Sequence, residues 1–212
     1  MALNPTAPAA PGIRRAGAED REWIASLLGE AFHEDPVSSW VFPEERRRRE
    51  LHPRFFGVFL GAALAEGAVE VTEDRSAAAL WLDVPAVAEE DVPAAIAEDD
   101  EVAALMRKES DPDNERAETV GRLTARVHPR LRAHRYLMLL GVEPDRQGQG
   151  LGSALLAPAL RRCDAEGVPA YLEASNARSR ALYEREGFRF TGRTVDLPGG
   201  PPMWPMWREP RG

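Results

Sequence analysis

Three glycines at alternate positions, Gly148, Gly150 and Gly152, stand in the segment Gly141-Val-Glu-Pro-Asp-Arg-Gln-Gly-Gln-Gly-Leu-Gly-Ser153. An apolar run of strand length, Tyr136 to Val142, precedes them, and an amphipathic stretch from Leu151 to Ala165 follows, so the turn joins a strand to a helix. Without side chains there, a ligand can approach the main-chain N–H groups directly. The first turn of the helix leaves those groups unpaired and carries the positive end of its dipole. Together they make an anion site suited to a phosphate or pyrophosphate.

The spacing narrows the choice of ligand. A P-loop needs Gly-x-x-x-x-Gly-Lys-Ser/Thr, and the segment has no lysine. A dinucleotide fold needs Gly-x-Gly-x-x-Gly at the strand end and an acid about 20 residues on. Glu173 imitates that acid, but Ser153 replaces the third glycine and Glu143 to Gln147 separate strand from turn. The dinucleotide reading is therefore the weaker competitor. The segment instead resembles the acetyl-CoA pyrophosphate loop of the GNAT superfamily, the general N-acetyltransferases. Their pattern Gln/Arg-x-x-Gly-x-Gly/Ala is met by Gln147, Gly150 and Gly152. Val142-Glu-Pro precedes it, and Asn176-x-x-x-x-Ala-Leu-Tyr183-x-x-x-Gly187-Phe188 follows as the family's second CoA-binding segment.

The resemblance is strong from about His134 to Phe190 and implies two neighbouring parallel strands, ending at Val142 and Glu173, that splay apart. It assigns cofactor binding to Leu140, Gly141 and Val142, to the run Gln147, Gly148, Gln149, Gly150, Leu151, Gly152 and Ser153, and to Asn176 and Tyr183. The pantetheine arm would pair with the strand near Leu140 and Val142, its thioester carbonyl near a free N–H. Tyr183 takes the place of the family's general acid for the departing thiolate, a role that suits a phenol protonated at neutral pH. An ammonium acceptor must first lose a proton. His134 shares a strand face with Tyr136, Glu173 stands near the mouth of the splay, and both are candidate bases. Asn176 can contact the CoA arm, cap the helix it opens, or both. Cys163 falls within the helix after the loop and reads as packing, which favours direct transfer in a ternary complex.

These groups need a sheet with helices on it. Gly12 to Ala16 and the pair Gly67 to Thr72 and Ala77 to Asp83 read as strands, the pair as a hairpin. Ala18 to Ala31 and Pro43 to Ala65 read as helices, the second kinked or split at Pro53. His33 to Trp40 reads as a loop, bordering the acceptor in similar proteins. There Asp35 could hold a cation and Trp40 stack on it, beside Phe32, His33 and Pro36. Pro85 to Leu131 is a polar helical insertion with breaks at Pro112 and Pro129. Its carboxylates from Glu89 to Glu115 form a solvated face or, more sharply, a lid. Pro169 to Glu173 is a strand, Asn176 to Glu186 a helix and Phe188 to Val195 a strand. Met203 to Arg208 closes the sheet, with Pro205 at a bulge or unpaired position. The fold class is α/β, a GNAT-like mixed, mostly antiparallel sheet with splayed parallel strands and flanking helices. One domain spans residues 12–210.

Composition sets the frame. The 212 residues carry 27 Lys+Arg against 35 Asp+Glu, a net charge of −8. That argues against sequence-independent binding to nucleic acid, which needs cations against phosphate. Cys163 is the only cysteine, so no intrachain disulfide forms, and a reducing, cytoplasmic setting is expected. Residues 1–11 have neither the basic head nor the apolar core of a secretory signal and read as a disordered Ala/Pro leader. No run is long enough to span a bilayer, and no His/Cys/Asp cluster has metal-ligand spacing. Lys108 is the sole lysine amid abundant Arg, Ala, Gly and Pro, a bias of GC-rich bacterial genomes. The reading is an acetyl-CoA-dependent N-acetyltransferase acting on a small-molecule amine without a metal, as monomer or homodimer. The alternative is a non-catalytic acyl-CoA-binding sensor or scaffold of the same fold.

Overall fold

The computed structural model describes residues 11–212, so the expected leader lies, except for Pro11, outside the described residues. The chain runs β1 (Ile13–Arg15), α1 (Arg21–Ala31), α2 (Pro36–Val41), α3 (Glu45–Glu66), β2 (Gly67–Thr72) and β3 (Ala77–Val84). Then follow α4 (Val92–Ser110), α5 (Glu115–Ala125), β4 (His134–Val142), α6 (Leu151–Glu166), β5 (Ala170–Ala174) and α7 (Ala177–Arg185). Three strands close it: β6 (Arg189–Phe190), β7 (Val195–Asp196) and β8 (Pro202–Arg208). The sheet order is β1-β2-β3-β4-β5-β8-β6, with β7 paired to β8 off that path. Among the described residues only β4 and β5 pair in parallel, and every other pairing is antiparallel. This is the mixed, mostly antiparallel α/β sheet expected.

Both faces of the sheet are covered, which is why β3 is apolar at successive positions. Ala77, Ala79 and Trp81 pack with Leu155, Leu156, Ala159 and Leu160 of α6. Ala78 and Leu80 point the other way, to Ile24 and Leu28 of α1 and Phe56 and Leu60 of α3. The helical insertion is a pair, α4 and α5, fastened to the end of α2: Asn114 Nδ2 donates to Val41 O at 3.1 Å and Arg116 Nη1 to Trp40 O at 2.8 Å.

Local chemistry overrules the sequence pattern at four places. The expected loop at 33–40 contains α2, because Asp35 Oδ1 accepts from the Val37 and Ser38 N–H groups at 2.9 and 3.3 Å and Pro36 fills the first position, where no N–H is needed. α3 continues through Pro53, whose ring rests on Gly29 of α1; a Cβ at Gly29 would lie 3.4 Å from it. The expected strand 188–195 is cut into β6 and β7, with Gly192 between them at φ +97°. Pro205 sits in β8 in register with Glu173 rather than at a bulge. Its carbonyl accepts from Thr191 N–H, so its own nitrogen faces the side where β6 has already ended, and the proline removes no ladder bond.

Candidate active site

β4 and β5 pair only at Arg135–Ala170 and Tyr136–Tyr171. Beyond these they separate, leaving the main chain of β4 toward Val142 without a β5 partner. A bulge helps to turn β4: Leu139 lies opposite Leu80 and Leu137 opposite Trp81, so Met138 is the extra residue. Gly141 lets α1 settle on the end of β4, since a Cβ there would lie 2.8 Å from Leu28 Cδ2.

The glycine turn opens where the gap ends. Gln147 ties it down, its Nε2 donating to Val142 O at 3.2 Å and its Oε1 accepting from Arg178 Nη1 of α7 at 2.8 Å. Gln149 is held within the turn, accepting from Arg146 Nε at 3.0 Å. Gly148 and Gly150 adopt φ +81° and +84°. A Cβ at Gly150 would meet nothing within 4 Å, so the loop faces open space, and no side chain caps the start of α6. Leu151 is buried, and Gly152 packs against Leu182 and Leu140. Ser153 is half-buried in the first turn. The donors a pyrophosphate needs are thus available and unobstructed.

Across the gap, Asn176 caps α7, its Oδ1 accepting from Ser179 N–H at 2.8 Å. Its Nδ2 donates to Asp35 Oδ2 at 2.9 Å, and Ser175 Oγ donates to the same oxygen at 2.6 Å. Asp35 is therefore committed to α2, Ser175 and Asn176 and is not free to hold a cationic acceptor. Trp40 packs beside Val195, Leu197 and Met203, with Arg116 stacked 5.2 Å from its ring. Tyr183 is buried edge-on to Phe188 at 5.9 Å. Burial, with Asp35 adding to it, holds its phenol well above the ordinary range and so protonated. Among the described residues its hydroxyl makes no hydrogen bond.

Glu173 lies two residues past the last β4–β5 pair, its side chain only 3% exposed. Tyr136 Oη donates to its Oε2 at 2.8 Å, while Oε1 and the neighbouring Tyr171 Oη are buried without a partner. Burial pushes the carboxyl up from 4.5 to about 7, with the Tyr136 and Tyr171 phenols pulling the other way. His128 Nδ1 stands 3.9 Å from Oε1, and His128 Nε2 lies 3.0 Å from His134 Nε2. Burial lowers the proton affinity of both rings, His128 to about 3.

The model of the acetyltransferase (GNAT) family matches residues 83–188, half of the chain. The chain belongs to the GNAT family. An uncharacterized N-acetyltransferase of Schizosaccharomyces pombe is 28% identical over 186 residues, 82% of this chain and 73% of that protein. Mycothiol acetyltransferase of Clavibacter michiganensis is 54% identical over 54 residues, 24% of this chain and 18% of its own length. The crystal structure of a histone acetyltransferase and related acetyltransferase from Corynebacterium glutamicum superposes with TM-score 0.65 at 24% identity, covering 96% of this chain and 98% of that one. That last likeness concerns the fold.

Within this GNAT chain, the glycine turn, Asn176 and Tyr183 border one gap, with Glu173 on its wall. His134 does not reach the gap. It is buried, with Nδ1 2.8 Å from Arg132 O and its ring against His128, Tyr171 and Trp207. Sequence reasoning passed over Ser175, Tyr171 and His128. Period-two alternation with Glu173 could have found Tyr171; His128, in the break between α5 and β4, carried no local signal. Cys163 is buried in α6 as packing. Among the described residues, no cluster of three or more metal-ligating side chains occurs, and no helix is long and apolar enough to cross a membrane.

Proposed function

We propose that this GNAT acetyltransferase moves an acetyl group from acetyl-CoA to a primary amine of a small molecule, directly, within a ternary complex. The observation that carries the reading is the β4–β5 gap: a glycine turn open at Gly150 closes one end, and Glu173 and Tyr183 stand along it. The residues fit a CoA ester. Main-chain N–H groups of Gly150, Leu151 and Gly152 would hold the pyrophosphate, and the unpaired β4 edge near Leu140 and Val142 would bond the pantetheine amides. Bound acetyl-CoA supplies an activated acyl carbonyl.

The chain's own residues manage protons and exclude water. Glu173 Oε1, buried and unpartnered, takes the proton that an ammonium must lose; an acid constant near 7 suits a base at neutral pH. Tyr183, kept protonated, donates from Oη to the departing sulfur. A β4 N–H near the bulge at Met138 would be the donor for developing negative charge. Cys163, sealed in α6 with its thiol pushed up by burial, is no acyl-enzyme nucleophile.

The test is a thermal-shift titration of wild type and Gly150→Trp with acetyl-CoA, CoA and NADH, followed by thiol release over aliphatic, aromatic and amino-sugar amines. Ligand at a hundredfold over Kd stabilises by about 2.7 kcal/mol. Stabilisation by both CoA ligands, lost in Gly150→Trp, and turnover with at least one amine are expected. Stabilisation by NADH alone overturns the donor assignment. Binding of CoA without turnover on any amine overturns catalysis in favour of a sensor.

A further inference from the structure

Glu173 Oε1 meets no partner within hydrogen-bond distance, and two titratable groups besides Tyr136 face the carboxyl: the Tyr171 phenol and His128, whose Nδ1 is 3.9 Å away. What that nitrogen carries is fixed two residues further back. Arg132 O can only accept, so His134 Nδ1, 2.8 Å from it, bears a proton. Both rings are buried and neutral, with one N–H each, which leaves His134 Nε2 bare. That bare nitrogen is 3.0 Å from His128 Nε2, which must therefore be the donor. His128 Nδ1 is left bare and turned toward the carboxyl.

We propose that His128, locked in this tautomer by His134 and the Arg132 carbonyl, is a positioning residue that sets how strongly Glu173 holds its proton. A bare nitrogen offers the carboxylate only lone-pair repulsion, but accepts a hydrogen bond from Oε1–H once Glu173 is protonated. At the present 3.9 Å neither bond is made, and the preference for the acid form, the form Glu173 takes on receiving the amine's proton, acts once the two side chains close by about half an ångström. Other groups face this cluster from each packed element: Tyr136 of β4 donates to Oε2, the Tyr171 phenol of β5 also favours the carboxylate, and Arg130 acts on His128. Asp99 of α4 pairs with Arg130 at 2.5 Å, which moderates that charge. The inference deepens the proposed role of Glu173 as base and rests on it.

The test changes a residue that does not touch Glu173. His134→Phe keeps a ring against Tyr171 and Trp207 but removes the acceptor for His128 Nε2–H. His128 is then free to take the other tautomer and, once the 3.9 Å separation closes by about half an ångström, to donate from Nδ1 to the carboxylate. Carbon-13 NMR of the labelled Glu173 carboxyl should titrate roughly one pH unit lower, the scale of one hydrogen bond to a charged group. His134→Gln, which can donate to Arg132 O and accept from His128, should restore the wild-type midpoint. In a His128→Leu background, His134→Phe should move nothing further. Nitrogen-15 NMR of wild type should show His128 protonated at Nε2 alone, a readout that survives if a variant fails to fold. A wild-type proton on His128 Nδ1, an unmoved midpoint in His134→Phe, or an equal shift without His128 overturns the proposal. None of these readouts needs acetyl transfer, so they stand apart from the base assignment, which fails if Glu173→Gln releases thiol as wild type does.

Discussion

Replacing Glu173 by Gln makes the folded chain more stable, and the gain grows as the pH rises. Burial raises the Glu173 carboxyl from 4.5 to about 7, so the folded state holds this proton more tightly than the unfolded chain does. Between those values the folded state binds more protons, and its stability falls as pH rises. The penalty is absent below about 4.5 and complete above about 7. A shift of this size corresponds to about 3 kcal/mol. Gln carries no charge and nearly the same shape; its Oε1 can accept from Tyr136 and its amide can donate to His128 Nδ1. Urea unfolding followed by tryptophan fluorescence, at about pH 5 and about pH 8.5, reads the effect. Because part of the penalty is already present at about pH 5, the variant-minus-wild-type difference should widen by about 2.5 kcal/mol, roughly 1 M in urea midpoint. Titrations common to both proteins cancel in that difference. A difference that stays flat, or narrows with pH, refutes the argument that this carboxyl is held neutral by burial.

Three further outcomes are expected. Tyr183→Phe should leave the melting temperature within about 1 °C, because the hydroxyl bonds to no described residue, yet lower thiol release roughly a hundredfold or more; equal turnover removes Tyr183 as the acid. Asp35→Ala strips α2 of its cap and strands Ser175 and Asn176, a loss of about 3 kcal/mol. In a melting curve that is a fall of roughly 8 °C, with Asp35→Asn losing less. Burial lowers His52 to about 4, its Nδ1 donating to Gly29 O at 2.9 Å. Its contribution is therefore complete above the unfolded value of 6.5 and lost as pH falls toward 4. His52→Phe should take up about one proton fewer on unfolding near pH 5, measured as a shallower stability–pH slope between 6.5 and 4.

Glycine spacing and apolar runs made the strand–turn–helix of the proposed donor half legible, because a turn that must expose main-chain N–H groups constrains residue type locally. The same holds for β4, α6, β5 and α7, whose boundaries fall within a residue or two of expectation. Asp35 shows why the acceptor side was less legible: an Asp before Pro looks like a loop residue, and only its position opposite Ser175 and Asn176 shows what both oxygens do. Glu173 was visible as a carboxylate at a strand end, but its burial depends on Tyr136, Tyr171 and His128, which three separate segments supply. His128 is the extreme case. Its chemistry comes from the polarity of hydrogen bonds relayed from a carbonyl, and no pattern along the chain encodes that.

The joint between β4 and β5, only two residue pairs long, has a mechanical meaning. It makes the sheet two panels, β1 to β4 and β5 with β8 and β6, joined across α6 and by a narrow hinge of hydrogen bonds. Under a pulling force or in hydrogen exchange, this seam should part before either panel does. A molecule lying in the gap would span both panels and act as a clasp. Cutting the chain at the exposed Gly167, between α6 and β5, would leave the panels as separate fragments. Their reassembly would then depend on how much of the clasping ligand is present.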